Sequence, residues 1–236
     1  SPKKRLCSVT ALPTARKSAA VRRGAAPLKR PCMAENKFAV DACGWSQSVV
    51  REPSDHFDAR SGAQLPYLVV LHNISLPPGE FLTGCVADFF TDRLDFSIDP
   101  RLEDIRGVRV SSHYFIDRRG GVTQFVSCLE RAWHAGVSTF EGKSRCNDFS
   151  VGIEIEGTDF TAFTESQYAA LTELLAALAA AYPVRAVVAH SDIAPGRKTD
   201  PGPFFDWRRL WFKRAAFGAP AFPGAAALNS LGFSDI

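Results

Sequence analysis

Two short apolar runs each end directly on a histidine, and they limit the folds open to this chain more than any other feature. Leu68-Val69-Val70-Leu71 is uninterrupted and stops at His72; Val184–Ala189 stops at His190. Runs without polar alternation predict strands buried on both faces, the interior of a sheet covered by helices. Between them, Phe149–Gly157 alternates, with Val151, Ile153 and Ile155 facing one way and Gly152, Glu154 and Glu156 the other. Thr164 and Gln167 form a capping box that opens a helix carrying Tyr168, Leu171, Leu174, Leu175, Leu178 and Tyr182 on one face, stopped before Pro183. Val108–Asp117 and Val122–Val126 flank Arg118-Arg119-Gly120-Gly121, a hairpin signature. Further helices are expected over Phe81–Leu94 and near Asp206–Phe217, while residues 34–64 and 95–107 and the stretch Glu130–Asn147 read as irregular. Strands and helices interleave without an internal repeat. The expected fold class is α/β: a single domain with a central mixed β-sheet flanked by helices.

Composition narrows the classes. The longest apolar run, Leu174–Tyr182, is nine residues, well short of the about 20 a membrane helix requires. The net charge of +3 is uneven: residues 1–32 hold nine of the 28 basic residues and no acid, leaving 19 basic against 25 acidic in the rest. The basic balance therefore belongs to the first segment and gives the body no claim on nucleic acid. The only methionine, Met33, is read as the native start, and residues 1–32 as a basic, disordered extension, non-native or upstream of it. A secretory signal over Lys3–Ala15 is interrupted by Ser8, Thr10 and Pro13, and an Arg-rich transit peptide is the other reading. The domain is expected over residues 33–217, with a loosely packed tail over 218–236. Six cysteines at irregular spacing, with no C-x-x-C, point to reduced thiols in a cytoplasmic protein.

Ligands in open α/β sheets gather at the carboxyl ends of strands, which is where His72 and His190 stand. Asp200 follows ten residues after His190, on a loop bent by Pro195, Gly196, Pro201 and Gly202. Two imidazoles and one carboxylate would leave a tetrahedral zinc with one open position, the pattern of a catalytic site. Spacing alone does not separate this from two hydrogen-bonded boundary histidines. A zinc hydrolase also needs a general base and an oxyanion partner. Glu154 or Glu156 fits the first, unless both are solvated strand carboxylates; Lys198 fits the second, unless it is an ordinary surface lysine.

Five ordered stretches carry a resemblance: His72–Phe81 (HNISLPPGEF), Arg131–Gly136 (RAWHAG), Arg145–Ser150 (RCNDFS), Gly152–Asp159 (GIEIEGTD) and Lys198–Pro203 (KTDPGP). Across about residues 44–212 the chain resembles the 1,6-anhydro-N-acetylmuramyl-L-alanine amidases of bacterial cell-wall recycling. They belong to the zinc amidases related to phage lysozyme-type amidases and peptidoglycan recognition proteins. The resemblance implies Zn2+ held by His72, His190 and Asp200 in a cleft at the carboxyl ends of the strands. It implies Glu154 as the carboxylate that moves a proton from the attacking water to the leaving amine, and Lys198 as the oxyanion partner. The bond cut would join anhydro-N-acetylmuramic acid to the L-alanine of the stem peptide, in the cytoplasm. Asn73, Arg109, Trp133 and Arg145 match positions lining the family's cleft, the arginines suiting peptide carboxylates and the indole a sugar face. His113 and His134 read as structural or supporting groups, His56 as a surface residue. The partner expected is the anhydro-muropeptide itself, with no nucleic acid, membrane or obligate protein partner. The alternatives are a related amidase acting on intact peptidoglycan and a non-catalytic muropeptide-binding module.

Overall fold

The computed structural model describes residues 36–62 and 64–211. The expectations for residues 1–32, for Met33, for the 218–236 tail and for the end of the last helix past 211 lie outside the described residues. In chain order the strands are β1 (Val50–Arg51), β2 (Phe57–Ala59), β3 (Leu68–Ile74), β4 (Tyr114–Ile116), β5 (Val122–Gln124), β6 (Glu130–Ala132), β7 (Thr139–Phe140), β8 (Lys143–Ser144), β9 (Ser150–Glu156) and β10 (Ala186–Ala189). The helices are α1 (Cys85–Phe90), α2 (Glu165–Ala181), α3 (His190–Ile193) and α4 (Arg208–Trp211).

The expected mixed sheet is present, in the order β1-β5-β4-β9-β3-β10. Strands β4, β9, β3 and β10 run parallel, and the β4–β5 hairpin supplies the one antiparallel pair. One face carries Val69, Leu71, Val151, Ile153, Ile155 and Val187 and packs under the apolar side of α2. The capping box forms as read: Gln167 N donates to Thr164 Oγ1 at 3.1 Å and Thr164 N to Gln167 Oε1 at 3.0 Å. Gln167 Nε2 also donates to the Glu156 carbonyl at 2.8 Å, tying the helix start to the end of β9. The opposite face carries Leu68, Val70 and Val188 beneath Ala135, Cys146 and Phe149. This face turns polar toward its carboxyl end, where His72 pairs with Glu154.

Four expectations change. The helix read over Phe81–Leu94 shrinks to Cys85–Phe90, because Leu82 and Gly84 adopt φ of 59° and 83°, outside the helical region. Leu82 N instead donates to Glu156 Oε1 at 2.6 Å. The approach over 34–64 contains β1 and β2, and the stretch 95–107 forms two 3-10 turns, Phe96–Ile98 and Pro100–Ile105, capped by Asp95 and Asp99. Glu130–Asn147 is likewise more ordered than a loop: β6 pairs with β2, and Glu141-Gly142, both at positive φ, close the β7–β8 hairpin. None of the described helices is long and apolar enough to cross a membrane. Cys43, Cys85, Cys128 and Cys146 are free.

Candidate active site

Parallel pairing brings the two histidines together, although β3 runs two residues past His72 and His190 opens α3. Leu71 of β3 is in register with Ala189 of β10, so the next residues, His72 within β3 and His190 at the start of α3, stand side by side. Their Nδ1 atoms lie 3.0 Å apart, and each is within reach of Asp200 Oδ2, at 2.9 Å from His72 and 3.0 Å from His190. The loop bearing Asp200 is anchored by Ser191 N donating to the Asp200 carbonyl at 3.1 Å and by Asn73 Nδ2 donating to the Pro201 carbonyl at 3.1 Å. A tetrahedral metal with ligands at 2.0–2.1 Å separates its donor atoms by about 3.3 Å, close to this spacing. The residues therefore fit a small divalent ion with two imidazole ligands and one carboxylate. Burial lowers His72 to about 4, its bond to Asp200 opposing only part of that, so the ring is neutral and has a lone pair to offer. Burial alone would raise Asp200, but the hydrogen bonds from His190 and His72 win and hold it below the carboxylate range.

The two glutamates of β9 separate cleanly. Glu156 is buried with one oxygen accepting from Leu82 N and the other from Arg118 N at 2.9 Å, so its carboxylate is consumed in holding two turns. Glu154 is also buried, lines the cleft and takes no hydrogen bond from the described residues. Burial pushes its proton affinity well up, the charge of Asp200 adds to that, and Lys198 opposes. Neither is a solvated carboxylate. Lys198 is an exposed residue that also lines the cleft.

The cleft measures about 910 Å³. Of the four residues expected to contact substrate, Asn73 and Trp133 line it, whereas Arg109 and Arg145 do not. Arg109 is exposed beside the lining residue Val110, and Arg145 is turned toward Asp148 at 3.3 Å. Asn73 has its amide committed to Asp159 Oδ1 at 2.7 Å as well as to Pro201. His56 is not a surface residue: it is 1% exposed, bonded through Nδ1 to the Val110 carbonyl and through Nε2 to Asp92, and stacked behind Trp133 at 6.0 Å. It backs the wall that Trp133 presents. Sequence reasoning passed over Arg197, which lines the cleft while donating to the Ala135 and Val137 carbonyls, and Phe160, a lining aromatic that is 83% exposed. Both adjoin quoted motifs, but nothing in their spacing marks them.

Behind the donors, His113 and His134 are buried, His134 with an edge on the cleft, and burial keeps both neutral, His113 falling to about 3. Arg60, also passed over, threads its guanidinium into this layer and donates to the carbonyls of Cys128, Asn147, Asp148 and Ser150. His134 lies flat against Gly152, where a Cβ would meet ring atoms at 2.5–2.7 Å. Gly152→Ala should therefore displace the ring and lower stability by about 1–3 kcal/mol, read from urea unfolding; an unchanged midpoint would mean the ring has room to move.

Comparison with known proteins places the chain in a family. The sequence profile for N-acetylmuramoyl-L-alanine amidases matches residues 63–203. The 1,6-anhydro-N-acetylmuramyl-L-alanine amidase AmpD of Escherichia coli (strain K12) is 49% identical over 169 residues, 71% of this chain and 92% of the relative. AmpD of Haemophilus influenzae is 48% identical over 159 residues, 66% of this chain and 86% of its own. The crystal structure of a selenomethionine derivative of AmpD superposes with a TM-score of 0.71 at 47% identity, covering 75% of this chain and 98% of that one. With the fold, the ordered motifs and the profile in agreement, the chain belongs to the N-acetylmuramoyl-L-alanine amidase family.

Proposed function

We propose that this protein hydrolyses the amide between the lactyl carbonyl of 1,6-anhydro-N-acetylmuramic acid and the L-alanine of the stem peptide. It would do so with zinc held by His72, His190 and Asp200, in the cytoplasmic recycling of cell-wall fragments. The observation that carries the reading is the convergence of three donor atoms within 3.0 Å at the floor of a cleft, with Glu154 cross-strand from His72. The AmpD relatives supply the substrate class by their names. The free thiols of Cys43, Cys85, Cys128 and Cys146 suit a reducing compartment.

When bound, zinc supplies Lewis acidity at the scissile carbonyl and makes water acidic enough to attack near neutral pH. Glu154 takes the proton from the attacking water and returns it to the departing amine of alanine. A carboxylate whose proton affinity is raised by burial suits a group that must hold that proton between two steps. The Lys198 ammonium, at the cleft wall, offsets the negative charge that develops on the carbonyl oxygen. Trp133 offers its indole to the apolar side of the sugar, and Asn73 holds the Asp200 loop in place while lining the same floor. Arg109 and Arg145 meet the carboxylates of a stem peptide that extends beyond the cleft.

Incubation with anhydro-N-acetylmuramyl tripeptide should release free peptide, followed by chromatography. Chelation should abolish the release and added zinc restore it. Faster release from intact peptidoglycan would move the assignment to an amidase of the whole wall. Binding without release by a folded, metal-loaded sample would make the protein a muropeptide-binding module.

A further inference from the structure

The dipeptide His134-Ala135 touches both proposed zinc histidines from behind. His72 Nε2 lies 3.0 Å from His134 Nδ1, and His190 Nε2 lies 3.0 Å from the Ala135 carbonyl. The dipeptide is itself pinned by one buried atom, because Asn147 Oδ1 accepts from His134 N at 3.2 Å and from Ala135 N at 2.8 Å. We propose that His134 and the Ala135 carbonyl, clamped by Asn147, are the positioning elements that fix His72 and His190 in the Nε2-protonated form and so present both Nδ1 lone pairs to the metal. The inference rests on the metal reading of the same site.

Proton bookkeeping separates the two halves. A carbonyl only accepts, so His190 must carry its proton on Nε2, which leaves Nδ1 free to coordinate. His72 has no such guarantee, because His134 Nδ1 can accept or donate. The direction depends on the far side of the His134 ring, where Nε2 faces Ser150 Oγ at 3.1 Å. When His134 donates Nε2–H to Ser150, its Nδ1 accepts from His72 Nε2–H, and His72 Nδ1 is open to a metal. The reverse direction puts a proton on His72 Nδ1, where it donates to Asp200 and blocks coordination. The Ser150 hydroxyl can take either part in this bond, and in the proposed direction it accepts, so that His134 holds His72 in the competent tautomer without itself touching the metal. Gly152 lets the ring lie close enough to do this.

Asn and Leu are matched in size at position 134, and only Asn offers an acceptor near the place of Nδ1. Zinc affinity of wild type, H134N and H134L is read by competition with a chromophoric chelator, with circular dichroism of each apoprotein as the folding control. H134L should bind zinc about tenfold to a hundredfold more weakly than wild type, and H134N should stay within about threefold. Equal affinity of H134L and wild type overturns the proposal, and so does H134N falling as far as H134L, which would assign the effect to ring packing. A wild type that takes up no zinc overturns the metal reading itself, and this inference with it. Should H134L fail to fold, long-range proton–nitrogen spectra of zinc-loaded wild type decide the matter. They should find His134 protonated at Nε2; a proton on its Nδ1 overturns the assignment.

Discussion

Asp200→Ala is expected to abolish zinc binding and hydrolysis together, with turnover falling at least about a thousandfold. Asp200 Oδ2 lies within 3.0 Å of both imidazole Nδ1 atoms and is the carboxylate donor of the three. Without it, two imidazoles remain in a buried pocket with no carboxylate to balance a divalent charge. The loop need not collapse, because its anchors are the Asp200 carbonyl and the Pro201 carbonyl, both backbone groups that alanine keeps. Elemental analysis after gel filtration, set beside the rate of peptide release, checks the prediction. A variant that keeps stoichiometric zinc would show that the two histidines suffice and that Asp200 is a hydrogen-bonding partner only.

Glu154→Gln should do the opposite to the metal and nearly the same to the rate. Zinc content should stay at wild-type level, while turnover falls by about 10²–10⁴-fold, the usual range for losing a positioned general base. Glutamine keeps the shape of a side chain that takes no hydrogen bond from the described residues, so the fold has little to lose. It also removes an ionisable group from a place where burial and Asp200 both oppose charge, so stability should hold or rise slightly. Zinc stoichiometry with single-turnover kinetics separates chemistry from binding. Near-normal turnover in this variant would remove Glu154 from the mechanism. Glu156 does not stand in as the base, since both of its oxygens are held by backbone donors of Leu82 and Arg118.

What could be read in the chain is what its local pattern decides. The alternation through Val151, Ile153 and Ile155, the capping box of Thr164 and Gln167, and the histidines that follow apolar strands all express periods or caps within a few residues. What could not be read is decided by distant partners. Strands β1 and β2 are two and three residues long and take their pairing from β5 and β6, far along the chain. The helix at Phe81–Leu94 is cut short because a carboxylate more than seventy residues away captures Leu82 N. His56 is buried because Asp92, Val110 and Trp133 close around it, and none of these is a sequence neighbour. The same holds in the site: His72, His190 and Asp200 stand out by position and family pattern, whereas the His134–Ala135 contact forms only once Asn147 folds back on it.

Strand β10 sits at the margin of the sheet, hydrogen-bonded to β3 on one side only. An ion held by His72 and His190 would link β3 to the residue that follows β10, and so act as a clasp on the margin of the sheet. The two histidines stand 118 positions apart, so such a clasp would close a very long loop and lower the freedom of the unfolded chain. On the metal reading proposed above, uptake of the ion would be coupled to seating the last strand, since the donors meet only once β10 lies beside β3.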